Sequence, residues 1–141
     1  MLYINDAVAH TINNTQGQMS GDVIMSRNAK YLFVVSMDVA PDKEALFNEV
    51  YDDEHIPYIL AVPGVLSATR STREPLTMLL GGETVTMDPG NEPKYCAIYE
   101  LESPDVLMSD AWAEAGEKGR WPTEVRPHTT NRRHIMRKVM S

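Results

Sequence analysis

Short apolar segments alternate with amphipathic ones along the chain after residue 28. The patterns that favour strands, apolar and β-branched or regularly alternating, fall at residues 30–39, 65–72, 94–101 and 132–140. From Asp42 onward, apolar side chains recur every three to four residues, as in a helix packed on a sheet. A second helix is predicted to begin at Ser103-Pro104, an N-cap followed by proline at the first helical position.

Two segments are less regular than the rest. In residues 73–93, two short runs flank Gly81-Gly82 and predict a hairpin, which would be either an insertion or an extension of the sheet. Residues 1–28 are expected to be an N-terminal extension, partly irregular, and residues 29–141 the folded domain. Met25, directly before the first strand, would also serve as a chain start.

The order strand, helix, strand, possible hairpin, strand, helix, strand predicts an α+β fold. It is the ferredoxin-like β-α-β-β-α-β arrangement, in which two helices cover one face of an antiparallel sheet. Aromatic and apolar side chains such as Tyr95 and Tyr99, expected on both faces, would leave the other face an exposed apolar patch. A second copy of the chain is the simplest cover, so we expect a homodimer.

Composition and missing motifs exclude several classes of function. The formal charge of -7 disfavours nucleic acid and anionic membranes as partners. Cys96 is the only cysteine, and neither a signal peptide nor a run of about 18 apolar residues is evident, so we expect a cytoplasmic protein. Motifs for nucleotides, serine hydrolases, zinc proteases and haem attachment are missing. No pattern supports a metal site at His55, His128 and His134, and we expect neither metal nor cofactor.

The segment from Tyr51 to Arg70, Y-D-D-E-H-I-P-Y-I-L-A-V-P-G-V-L-S-A-T-R, carries the side chains best suited to chemistry. His55 is a candidate general base because its unperturbed pKa lies near neutrality. Tyr51 and Tyr58, four residues before and three after it, share its face on a continuous helix. Pro57 should kink or restart that helix. The alternative is a structural His55 that caps the helix or bonds a backbone carbonyl.

Preceded by a strand and a helix, this segment resembles the EthD-like branch of the dimeric α+β barrel superfamily. The shared pattern is an acidic residue, His, a hydrophobic residue and Pro, then an apolar turn and P-G-V before a strand ending in Arg; it covers roughly residues 30–72. The fragment W-P-T-E-V-R-P-H-T-T is a weaker match. The resemblance implies a homodimer whose two sheets face each other to form a barrel, with a cleft between sheet and helices in each subunit. The superfamily includes muconolactone isomerases, polyketide cyclases, cofactor-free monooxygenases and haem-degrading enzymes, so the fold does not select a reaction.

The charged residues of this segment have two interpretations. Three consecutive acids point around a helix and cannot all serve one site, so most should be solvated surface. The resemblance favours Asp52 or Glu54 as the acid that orients His55 or holds the dimer. Arg70 could anchor an anionic substrate group or pair with an acid such as Glu100 on a neighbouring strand, and we favour the pairing.

Aromatic residues of the second half of the chain could wall a cleft. Tyr95 and Tyr99 fall on one face of a strand, where packing in the core is the default and a hydroxyl reaching into the cleft the alternative. Trp112 and Trp121 could wall a pocket, seal a dimer interface or simply be buried.

The leading hypothesis is a homodimer that binds a small apolar or aromatic carbonyl compound and acts on it without a cofactor, as an isomerase, cyclase or oxygenase. His55 would take a proton, and Tyr58 or Tyr51 would donate to the developing oxyanion. The residues expected to bind substrate are Arg70, Tyr99 and Trp112. The alternative is a ligand-binding or assembly module without catalytic activity.

Overall fold

The computed structural model describes residues 2–4 and 30–140. The strands are β1 (Leu2–Ile4), β2 (Tyr31–Val39), β3 (Val65–Thr72), β4 (Leu76–Leu80), β5 (Glu83–Met87), β6 (Tyr95–Leu101) and β7 (Thr129–Lys138). The α-helices are α1 (Glu44–Val50), α2 (Ile56–Leu60) and α3 (Asp110–Ala115). Residues 5–29, most of the predicted extension, lie outside the described residues.

Five strands form the main sheet in the order β1-β3-β6-β2-β7, and every neighbouring pair is antiparallel. Without the short outer strand β1 and the β4-β5 hairpin, the remaining strands and the helices between them have the β-α-β-β-α-β order. The predicted ferredoxin-like α+β fold is therefore confirmed. β7 begins at Thr129, three residues before the predicted start.

One continuous helical segment connects β2 to β3. It begins with a 3₁₀ turn at Pro41–Lys43, continues as α1, widens into a π-helical turn at Tyr51–His55 and ends as α2. At the wide turn the Ile56 amide donates to the Tyr51 carbonyl, five residues back, which lets Pro57 follow without a break in the helix. The predicted kink at Pro57 is thus absorbed by a wider turn.

Gly64 ends this segment and leads into β3. Its φ of 92° lies in the region that favours glycine, and a Cβ there would overlap the Val106 side chain. The close contact between the Pro63-Gly64 turn and the segment after β6 is therefore possible only because glycine has no side chain.

The β4-β5 hairpin forms a separate two-stranded sheet around Gly81-Gly82 and does not join the main sheet. Of the two sequence alternatives, the insertion is the one observed. The apolar side chains of β4 are exposed, with Leu79 at 74% exposure.

The second predicted helix is divided in two. Ser103 caps a 3₁₀ turn at Pro104–Met108, as expected, by accepting a hydrogen bond from the Asp105 amide. Ser109 then adopts an extended backbone and caps α3 by accepting from the Trp112 amide at 3.2 Å. The prediction of one helix was wrong because a second serine offered the backbone a competing cap.

The core lies between the sheet and the helical layer. Tyr95, Ala97, Tyr99 and Leu101 share one face of β6, as the alternation predicted, and all are buried in the core. Because these tyrosines belong to the helix-covered side, they do not contribute to the opposite face of the sheet.

The opposite face has apolar residues from three adjacent strands. Leu32 and Val34 of β2 and Ile98 of β6 alternate with the core residues and are half-buried, while Ile135 of β7 is 44% exposed. No helix in the described part of the chain belongs to this side of the sheet.

Candidate functional site

A pocket with a volume of about 190 Å³ lies between the sheet and the helical layer. Its lining is Phe33, Val35, Met37, Tyr51, His55, Ile59, Tyr99, Trp112, Gly116, Trp121, Arg126, Arg132 and His134. Of the six residues selected from the sequence, four line it: His55, Tyr51, Tyr99 and Trp112. The two that do not are Tyr58 and Arg70.

His55 is held between aromatic rings. Its imidazole stacks on the Trp121 indole, with ring centroids 4.5 Å apart and planes at 24°, and meets the Tyr51 ring edge-on at 5.1 Å. The buried Nδ1 has no hydrogen-bond partner among the described residues. Because buried polar atoms in proteins are almost always bonded, this nitrogen is a candidate contact for a ligand.

Burial, together with the smaller effects of the positive charges of Arg126, Arg132 and Arg70, lowers the pKa of His55 from 6.5 to about 4. The ring is therefore neutral at neutral pH. Sequence reasoning expected a base with an ordinary pKa, which the surroundings of the side chain exclude. An imidazole with so low a pKa is only a weak base.

The helical spacing explains which tyrosine joins His55. Residues four apart, Tyr51, His55 and Ile59, line the pocket together. Tyr58 lies beside Gly119, with the Lys118 ammonium 5.6 Å from its ring centroid. Tyr51 is thus the tyrosine that the helix places beside the imidazole.

The hydroxyls of Tyr51 and Tyr99 are hydrogen-bonded at 3.2 Å, and both side chains are buried. Burial raises the pKa of each phenol, so both are protonated at neutral pH. Their mutual bond uses one of the two hydroxyl protons. The other can be donated to an oxygen of a ligand.

Arg70 lies behind the pocket wall. Its Nη1 donates to Asp52 Oδ1 and its Nη2 to Asn48 Oδ1, both at 2.8 Å, while its guanidinium carbon lies 4.4 Å from the Tyr51 ring centroid. The favoured interpretation, a paired arginine, agrees with this placement, although the acid is Asp52. Glu100, the partner named from the sequence, accepts a hydrogen bond from Ser67.

The Glu54 carboxylate is bound by Arg120 rather than by His55. It accepts from the Arg120 amide at 2.9 Å and from Arg120 Nε at 2.6 Å. Asp53 is exposed. Asp52 and Glu54 therefore tie the helix to Arg70 and Arg120 rather than orient the imidazole.

Sequence reasoning missed the basic side chains of the lining. Arg126 pairs with Glu117 at 2.9 Å and also donates to the Gly116 carbonyl. Arg132 and His134, two residues apart on β7, reach the same pocket. The available signals were the W-P-T-E-V-R-P-H fragment and the alternation along the last strand.

Within residues 2–4 and 30–140, no three His, Cys, Asp or Glu side chains form a group that could hold a metal ion.

Among the helices in those ranges, none combines the length and the apolar character needed to cross a membrane.

Comparison with known proteins identifies the fold. No protein-family model and no curated protein matches the chain. Its structure resembles that of an EthD family protein from Bacillus halodurans, with a TM-score of 0.50 and 12% identity, over 78% of this chain and 99% of the other. A candidate monooxygenase from Fusobacterium nucleatum gives a TM-score of 0.48 and 11% identity, over 84% of this chain and 46% of the other. The resemblance drawn from the sequence is therefore confirmed at the level of the fold, which is that of an EthD-like α+β protein.

Proposed function

We propose that the protein binds a small aromatic or apolar carbonyl compound in the pocket beside His55 and transfers a proton on it without a cofactor. The observation that carries the proposal is the buried, unbonded Nδ1 of His55 in a pocket walled by aromatic rings. An apolar lining with a few polar groups that converge on it is typical of small-molecule sites.

The size of the pocket limits the ligand. An apolar cavity of roughly 150 Å³ can hold benzene, so about 190 Å³ suits a single aromatic ring with a short substituent. The rings of Trp112 and Phe33, which meet edge-on 5.8 Å apart in the lining, offer aromatic contacts for such a ring.

The chemistry follows from the protonation states. Neutral His55 is the form that can accept a proton from a carbon next to the carbonyl, and the developing oxyanion would receive the spare proton of the Tyr51–Tyr99 pair as a hydrogen bond. Negative charge on the ligand raises the pKa of the imidazole and makes it a stronger base at the moment of transfer. This proton transfer is a first step open to isomerase, cyclase and cofactor-independent oxygenase reactions.

The low pKa of His55 favours a second candidate function, a binding protein in which the neutral imidazole only hydrogen-bonds the ligand. Both functions predict binding, and only the first predicts proton transfer. One substrate analogue distinguishes them.

Acetophenone is a suitable probe because it has one ring, a carbonyl and exchangeable methyl protons. Binding is measured by quenching of tryptophan fluorescence, and proton abstraction by deuterium uptake into the methyl group in heavy water. We expect His55→Gln to retain binding and lose the exchange, whereas His128→Gln, a residue outside the pocket lining, should retain both. Binding without protein-catalysed exchange would select the second function, and no binding would contradict both.

We also propose a homodimer formed through the sheet face opposite the helices. That face presents Leu32, Val34, Ile98 and Ile135, and a second copy would bury them. Light scattering at micromolar concentration should give twice the mass of the chain, and Ile135→Asp should give the mass of one chain. Leu79→Asp, at an exposed apolar position on the separate hairpin, is the matched control and should leave the dimer intact. A wild-type monomer would contradict this proposal.

A further inference from the structure

We infer that Arg132 is an anion-binding residue of the pocket and that the preferred ligands are aromatic compounds bearing a carboxylate. The inference rests on the proposed ligand-binding function and names the ligand class. It depends on how charge is distributed around the pocket.

Among the described residues, no acidic side chain lines the pocket, although the chain carries a formal charge of -7. The polar lining consists of two arginines, two histidines and two tyrosines. A cleft with one sign of charge and low-dielectric walls favours a ligand of opposite charge. The lining is therefore suited to an anion, in contrast to the protein as a whole.

Arg132 is the arginine of the lining whose charge no acidic side chain of the described residues neutralises. Arg126 is paired with Glu117, and Arg70, behind the wall, is paired with Asp52. Within the described ranges, Arg132 has no ion pair. A guanidinium in this position can bind a carboxylate through two parallel hydrogen bonds.

The alternation of side chains along β7 places Arg132 and the neighbouring Arg133 on opposite faces of the strand. Arg133 belongs to the opposite face of the strand, where it pairs with Glu92 at 2.9 Å and with the Asn91 side chain. Arg132 shares its face with His134, and both reach the pocket. Two consecutive arginines therefore differ in role: Arg132 lines the pocket, and Arg133 forms an ion pair on the opposite face. Arg133 is thus the matched control for substitutions of Arg132.

Electrostatic effects inside the pocket agree with this placement. The charge of Arg132 contributes to the lowered pKa of both His55 and His134, after the larger effect of burial. Its positive field therefore reaches the side chains that a ligand would contact. A bound carboxylate would neutralise that field.

Benzoate and benzamide make a matched pair of probes because they have nearly the same shape and differ in charge. Affinities are measured by titration calorimetry with the whole protein at low ionic strength. We expect the wild type to bind benzoate at least about tenfold more tightly than benzamide, as one charge-assisted contact would give. Arg132→Gln should abolish the preference while retaining benzamide binding, and Arg133→Gln should leave the preference unchanged.

The outcomes separate this inference from the proposed function. If the wild type binds acetophenone and benzamide but does not prefer benzoate, the inference is wrong and the ligand-binding function stands. A preference that persists in Arg132→Gln would also overturn it. If acetophenone does not bind, the ligand-binding function itself fails, together with everything that rests on it.

Discussion

The imidazole of His55 and the indole of Trp121 are stacked, with centroids 4.5 Å apart and planes at 24°. The stack joins the π-helical turn after α1 to a second wide turn, Trp121–Val125, and forms one wall of the pocket. Because the indole also excludes water from the imidazole, packing and ionisation are coupled at this contact. Several measurable properties follow from it and from the contacts around it.

The stability of the protein should depend on the ionisation of His55. In the folded state its pKa is about 4, whereas an unfolded chain has a value near 6.5, so unfolding favours proton uptake between these limits. The stabilisation is fully present above pH 6.5 and is lost as the pH falls through 4. Urea unfolding between pH 7.5 and 4 should show a loss of about 3 kcal/mol from this group.

His55→Gln provides the reference for that measurement. Asp38 and Glu54 also have lowered pKa values, through hydrogen bonds from the Lys94 and Arg120 amides, and their protonation destabilises both proteins in acid. The difference between the two unfolding curves therefore isolates the histidine. Parallel curves would show that His55 titrates normally in the folded state.

Replacing Trp121 should change both packing and ionisation. Trp121→Ala removes a buried ring and should lower the free energy of unfolding by about 3–5 kcal/mol. Water that reaches the imidazole should raise the pKa of His55 towards 6.5, since burial is the largest cause of the lowered pKa. Proton NMR titration of the imidazole measures this shift, and Trp121→Phe should retain a lower value. A pKa near 4 in folded Trp121→Ala would show that burial by the indole is not the cause.

Gly64→Ala should destabilise the fold through two effects. The left-handed backbone contributes roughly 1–2 kcal/mol, and overlap with Val106 adds to it. Gly90→Ala is the matched control, because Gly90 also has a positive φ but has no atom within 4 Å of an added Cβ. Thermal unfolding should show the larger loss at Gly64. Equal losses would mean that the turn moves away from Val106 without strain.

Arg70→Gln should lower stability and leave ligand affinity unchanged. The substitution removes the bonds to Asp52 and Asn48 and the contact with the Tyr51 ring, worth roughly 1–3 kcal/mol together. Because Arg70 lies outside the pocket lining, acetophenone should bind with wild-type affinity. A urea denaturation series measures the change in stability, and a fluorescence titration of the folded variant with acetophenone measures the affinity. Weakened binding in a fully folded variant would show that Arg70 supports the ligand.

The elements of this fold could be predicted because their signals are local. The alternation from Val65 to Thr72 marks β3 to the residue, and Ser103-Pro104 marks a capped helical turn. Such patterns need only the side chains of one segment and the period of its backbone. The division at Ser109 was missed because its hydroxyl makes two local hydrogen bonds at once: it donates to the Val106 carbonyl and accepts from the Trp112 amide, which ends one turn and caps the next.

The sequence by itself determined the order of strands and helices, the buried face of β6 and the helical segment that carries His55. Only the tertiary structure decided that the imidazole lies against Trp121, that Arg70 pairs with Asp52 and that Arg132 reaches the pocket. The physical reason is that periodicity and capping act between residues close in the chain. Burial, ion pairing and pKa values depend on neighbours that distant segments supply once the sheet is assembled.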